Sequence, residues 1–156
     1  ELIGVFNKIL QEYPNNVKII IGGRDIPKEF DYLKLRQGVI FKGFIEESEL
    51  SNYYQNIDIF VYKTDIAAFE LIPLEAMASG CAVIASDIGA LKEVVDKGGL
   101  LVENTKKEFY TAINKLINNK SLRLKYELTI SLFLLFNVTI PKIFIILLYT
   151  YIKYKI

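Results

Sequence analysis

The chain has no histidine among its 156 residues. That removes the usual general base at neutral pH and the commonest metal ligand. A single cysteine, Cys81, excludes an intrachain disulfide, and a zinc cluster cannot be assembled from these residues. An excess of charge is lacking too. Nineteen Lys and Arg stand against eighteen Asp and Glu, and the net charge of +1 gives no argument for nucleic acid or for an acidic partner. No internal repeat and no secretory leader is visible. The first residue is Glu1 rather than methionine, so the sequence reads as a piece of a longer protein.

What is present is apolar. Residues of that class make up 52%, and the length suits one domain with a real core. Leu2, Val5, Phe6, Ile9 and Leu10 recur at helical spacing over 1–13, and Pro14-Asn15-Asn16 ends that helix. Val17–Ile21 is a near-continuous apolar strand of the kind covered on both faces. Gly22-Gly23-Arg24 follows, where the glycines allow close backbone approach to a ligand and Arg24 to a phosphate. A tight turn uses glycines for its own sake as well. Pro27–Arg36 reads as a short helix and Val39–Phe44 as a strand. Ser48 suits the N-cap of a helix over Glu49–Gln55. Ile57–Tyr62 is the next strand, with Asp58 ordering its entry. Gly98–Val102 is the last strand, and Lys106–Asn118 an amphipathic helix with Phe109, Ala112, Ile113 and Leu116 on one face. Strands and helices alternating at these lengths predict an α/β fold with a doubly wound parallel sheet.

The centre of the sequence is Phe69–Gly80 and the strand Cys81–Ser86 after it. Pro73 suits the first turn of a helix, Gly80 its left-handed end, and Ala82–Ala85 a fully buried strand. Cys81, just after the glycine, reads as a small core residue. A helix N-terminus at a sheet edge attracts phosphate. Glu75, about one turn in, has two readings: a carboxylate accepting hydrogen bonds from two ribose hydroxyls, or an ordinary surface glutamate.

Residues 68–87, Ala-Phe-Glu-Leu-Ile-Pro-Leu-Glu-Ala-Met-Ala-Ser-Gly-Cys-Ala-Val-Ile-Ala-Ser-Asp, resemble the donor-binding motif of the retaining glycosyltransferases called group 1, or family four. The resemblance extends over roughly 1–127. It implies the Rossmann-like nucleotide half of a two-domain GT-B fold. It also implies a nucleotide diphosphate sugar as donor substrate, no other cofactor and no metal. The family's motif has two glutamates separated by seven residues. The second falls on Glu75, a ribose ligand in the family; the first falls on Ala67, so the catalytic position is unassigned. Glu70 replaces the usual glycine. The resemblance puts the N–H groups of Leu71 and Ile72 on the diphosphate and backbone near Ile45 on the base edge. Gly89 and Ala90 fall on the family's glycine pair near the donor. Glu93 falls on a glutamate usual in the family, and it also suits the first turn of a helix in its own right.

The two ends depart from the family. Its nucleotide domain opens with a strand bearing an arginine and a lysine for the diphosphate, and residues 1–13 resemble the helix after that strand. In the order 3-2-1-4-5-6 the first strand is central. Its loss leaves the flanking strands either to pair directly or to form a piece that is not stable alone. The partner expected from the resemblance is an N-terminal acceptor-binding domain, and this chain alone is expected to be inactive. From Leu128 to Ile152 the sequence has no acidic residue and one charge, Lys142, with Pro141 beside it. Three readings stand for this apolar tail, taken as a segment over 128–156: a shifted reading frame, a membrane-associating helix through 128–152, or a buried helix of a larger fold. The expected location is the cytoplasm, at the membrane surface if the tail engages lipid.

Overall fold

The computed structural model describes residues 2–23, 28–66 and 71–137. Arg24, Pro27, Ala67, Glu70 and the tail from 138 on lie outside the described residues. The elements follow in the order α1 (Leu2–Glu12), β1 (Ile19–Gly22), a 3-10 segment (Lys28–Leu35), β2 (Val39–Gly43), α2 (Glu47–Gln55) and β3 (Ile59–Tyr62). Then come α3 (Ile72–Ala78), β4 (Ala82–Ser86), α4 (Leu91–Val95), a 3-10 turn (Asp96–Gly98), β5 (Gly99–Val102), α5 (Lys106–Asn118) and α6 (Lys120–Asn137).

Every strand pairing is parallel, and helices cover both faces of the three-stranded sheet β3-β4-β5. The period of two along β4 sorts its side chains between two cores. Ala82 and Ile84 pack with Val5 and Ile9 of α1 and with Phe109, Ala112, Ile113 and Leu116 of α5. Val83 and Ala85 face the other way, onto Tyr54 of α2, Ala76 and Met77 of α3, and Leu91 and Val95 of α4. A central strand covered on both sides must be apolar throughout, and all five residues of β4 are buried. Gly80 ends α3 at φ 92°, a conformation glycine adopts without penalty. Cys81 is fully buried, and its thiol donates to the Tyr54 carbonyl at 3.2 Å. Burial, with Asp58 and Glu127 nearby, pushes that thiol up to about 12.

The sheet is divided. β1 pairs only with β2, and β3 only with β4, so no strand lies between β1 and β3 among the described residues. The direct pairing of these two flanking strands, one of the two outcomes expected for the sheet, does not occur. Their exposure reflects it. Ile19, Ile20 and Ile21 of β1 and all four residues of β3 are only half-buried.

Two elements, α2 and the segment after Pro27, differ from expectation. α2 starts at Glu47 with Glu46 as its N-cap, and no side chain caps it. Glu46 is extended (ψ 148°) and its carbonyl takes the Glu49 N–H at 2.9 Å, so Ser48 already lies inside the first turn. The acidic side chains there favour the helix dipole without a hydroxyl cap. The segment after Pro27 is 3-10 rather than α-helical. α6 runs unbroken through Glu127 and Leu128, with Arg123 and Glu127 paired at 3.5 Å. Among the described residues no helix is long and apolar enough to cross a membrane.

Candidate functional site

Parallel strands bring their carboxyl ends to one edge, where open α/β sheets bind ligands. Gly22 closes β1 and pairs with Gly43 of β2 across a shift in register after Ile21. Gly23 follows at φ 141° and donates its N–H to the Gly43 carbonyl at 2.8 Å. A Cβ on Gly22 would stand 2.9 Å from Cδ1 of Ile45 and 3.0 Å from the hydroxyl oxygen of Tyr53. A side chain there would push the ends of these two side chains aside. Gly22, Ile45 and Tyr53 meet at one point, although they come from β1, from the exit of β2 and from α2.

Tyr53 leads to the second group. Its ring meets that of Tyr54 edge-on at 5.7 Å, and Tyr54 meets Phe60 of β3 edge-on at 5.5 Å. The Tyr54 side chain hydrogen bonds to the carboxyl group of Glu75. Glu75 is half-buried on α3, not a surface glutamate. Burial pushes its carboxyl group up to about 7; the hydrogen bond from Tyr54 acts against this, and the nearby Glu47 carboxylate adds to it. The first hydrogen bond of α3 runs from the Glu75 N–H to the Leu71 carbonyl at 2.9 Å. The N–H groups of Leu71, Ile72 and Leu74 precede it, and Pro73 has none to offer, so the helix start presents donors without intrahelical acceptors. Leu71 itself is buried and Ile72 half-buried.

Gly89 stands apart from these groups. It lies in the exposed exit loop of β4 at φ 47°, ahead of α4. Ala90 is the residue before α4, and Glu93 sits exposed in its first turn. Of the expected site residues, Gly22 and Ile45 are thus joined directly, Glu75 is linked to them through Tyr53 and Tyr54, and Gly89 occupies the neighbouring loop. Arg24, Ala67 and Glu70 lie outside the described residues. Sequence reasoning does not reach the two tyrosines. The adjacent pair of aromatic residues on a short polar helix is the available signal. Among the described residues no group of three or more Cys, Asp or Glu is placed to hold a metal ion.

The family model described as "Glycosyl transferases group 1" matches residues 1–119. The capsular polysaccharide biosynthesis glycosyltransferase CapM of Staphylococcus aureus is 33% identical over 129 residues, 79% of this chain and 34% of that protein. The C-terminal domain of the group 1 glycosyltransferase LpcC from Francisella tularensis superposes with a TM-score of 0.66 at 34% identity, covering 81% of this chain and 71% of that one. Anabaena HepE, solved in complex with UDP, superposes with a TM-score of 0.65 at 23% identity over 80% of this chain and 37% of its own. The chain spans about a third or less of the length of the first curated relatives it matches.

Proposed function

The chain belongs to the group 1 glycosyltransferases, and from that premise we propose that it forms the donor-binding part of an enzyme that moves a sugar from a nucleotide diphosphate sugar to an acceptor with retention. The observation that carries this reading is Glu75, a half-buried carboxyl group held by Tyr54 at the start of the helix that follows β3. Ionised, it accepts hydrogen bonds from two adjacent ribose hydroxyls, a charge-assisted pairing stronger than a neutral one. The N–H groups of Leu71 and Ile72 meet the diphosphate. Gly22 and Gly23 let the backbone near Ile45 approach the base, and Gly89 borders the sugar. The leaving nucleotide carries negative charge, so fixed donors aimed at it lower the barrier to departure. A separate N-terminal domain holds the acceptor.

Titration of the full chain with UDP, the nucleotide bound by HepE, tests the reading. Glu75→Ala is expected to weaken UDP binding at least about tenfold, the worth of a lost hydrogen bond to a charged group. Equal affinity in the two proteins would remove Glu75 from the site.

A second reading, a non-catalytic and membrane-anchored remnant, is favoured by Ala67, which stands where the family's motif carries its first glutamate, and by the apolar run 128–152. Flotation with lipid vesicles without sugar transfer selects it. Turnover of a nucleotide sugar by the full-length parent rejects it.

A further inference from the structure

Ser86 is a polar residue at the end of an otherwise apolar strand, and it is completely buried. An alanine or valine would close β4 without burying a hydroxyl, so the partners of this one are informative. None of its side-chain hydrogen bonds goes to a strand neighbour. Its Oγ accepts the Thr64 N–H at 3.0 Å and donates to Oδ1 of Asn104 at 2.9 Å. Asn104 turns its amide nitrogen back to the same loop, to the Thr64 carbonyl at 2.9 Å and to Oδ1 of Asp65 at 2.6 Å. Asp65 also takes the ammonium of Lys63 at 3.0 Å, and the Lys63 side chain is only 12% exposed. Inside the loop, Thr64 Oγ1 donates to the Ile66 carbonyl at 2.7 Å. The end of β4 and the exit loops of β3 and β5 are therefore tied together at the edge where the ligand is expected.

The loop so held is the one that leads from β3 into α3. We infer that Ser86 and Asn104 are positioning residues of the donor site: they clasp the loop at Thr64 and Asp65, and so preset Leu71, Ile72 and Glu75 for the diphosphate and ribose. This rests on the reading of Glu75 as a donor ligand. Every polar atom of the Asn104 side chain is used in the clasp, and two of its three bonds end on the loop. A residue serving only to close β5 would have no need of them. Support held on neighbouring rigid elements is what keeps a binding constellation at its productive geometry.

The test uses the full 156-residue chain with UDP as probe, and amide exchange over 64–66 and 71–75. Asn104→Ala is expected to weaken UDP by about tenfold, the scale on which supporting residues act on a site they do not touch. Exchange of the loop amides is expected to quicken, with α5 unchanged. Asn104→Asp sets a carboxylate against Asp65 and is expected to weaken binding as well. Adding Asp65→Asn restores a donor opposite that new carboxylate, though not the one to the Thr64 carbonyl, and is expected to recover part of the loss, which a mere packing defect would not do. UDP bound as tightly by Asn104→Ala as by the unaltered chain overturns the inference while leaving Glu75 in place. An unaltered chain that binds none of UDP, GDP and ADP overturns the functional reading, and the clasp is then a structural tie alone.

Discussion

Glu75 is under two opposed demands. Its carboxyl group ionises at about 4.5 in an unfolded chain and at about 7 in the fold, chiefly because burial disfavours the charge. Between those values the folded state binds more protons than the unfolded one, so stability falls as pH rises through the window. Nucleotide binding runs the other way. The ionised carboxylate accepts from both ribose hydroxyls more strongly than the neutral acid does, so affinity for UDP is expected to rise as pH climbs from about 5 to 8. Glu75→Gln removes the charge that resists burial. It is expected to melt about 3 °C above the unaltered chain near pH 8, after discounting the group's partial exposure, and to match it near pH 5. Its affinity for UDP should be lower near pH 8, with the gap closing towards pH 5. Melting curves and titrations at the two pH values decide this. An unaltered chain whose UDP affinity does not change with pH would separate the carboxylate from the ligand.

At the scale of elements, two glycines show how packing sets the sign of one chemical change. Gly99 opens β5 against the central strand, and a Cβ there would stand 2.7 Å from the Val83 carbonyl oxygen and 2.8 Å from Cγ1 of Val95. Neither can yield without moving β4 or α4, so Gly99→Ala is expected to cost about 1–3 kcal/mol by overpacking. Gly4 lies on the exposed side of α1 with nothing within 4 Å of that position. Gly4→Ala is expected to gain about 0.5–1 kcal/mol by limiting the unfolded chain. Urea unfolding of the two variants checks both, and equal effects would refute the packing argument. Such contacts are the part of the structure that sequence periodicity does not carry. The bounds of α5 and its buried face of Phe109, Ala112, Ile113 and Leu116 agree with the spacing alone, because a one-sided helix writes its environment at every turn. β4 is legible for the opposite reason, an apolar run with no polar face at all. The start of α2 is not, because a serine near a helix start fits either as its cap or inside its first turn. Asn104 is separated by 18 and 40 residues from Ser86 and Thr64, its partners in the clasp. Tyr53 reaches Gly22 only through the fold. Nothing local marks either arrangement.

The molecule as a whole is unevenly held. β4 lies between two cores, whereas among the described residues of β1, β2 and their 3-10 segment only Leu33 is fully buried. Tyr32, Leu35, Ile40 and Phe44, all in that second unit, are among the large apolar side chains left exposed. Segments with few buried contacts open at low free energy, and cleavage by a protease follows the population of the open form. Chymotrypsin is therefore expected to cut first between Phe30 and Phe44, while α1 stays with the larger piece through Val5 and Ile9. First cuts inside Ala82–Asn118 would refute this order. The division also bears on the ligand. Gly22, Gly23 and Ile45 belong to the looser unit, and Glu75, Leu71 and Ile72 to the tighter one. A nucleotide touching both binds the closed form alone, and at a hundred times its dissociation constant it stabilises that form by about 2.7 kcal/mol. Saturating UDP is expected to slow the first cut by about two decades. A slowing confined to the loop between β3 and α3, with the cut between Phe30 and Phe44 as fast as before, would mean that the nucleotide is held by the tighter unit alone.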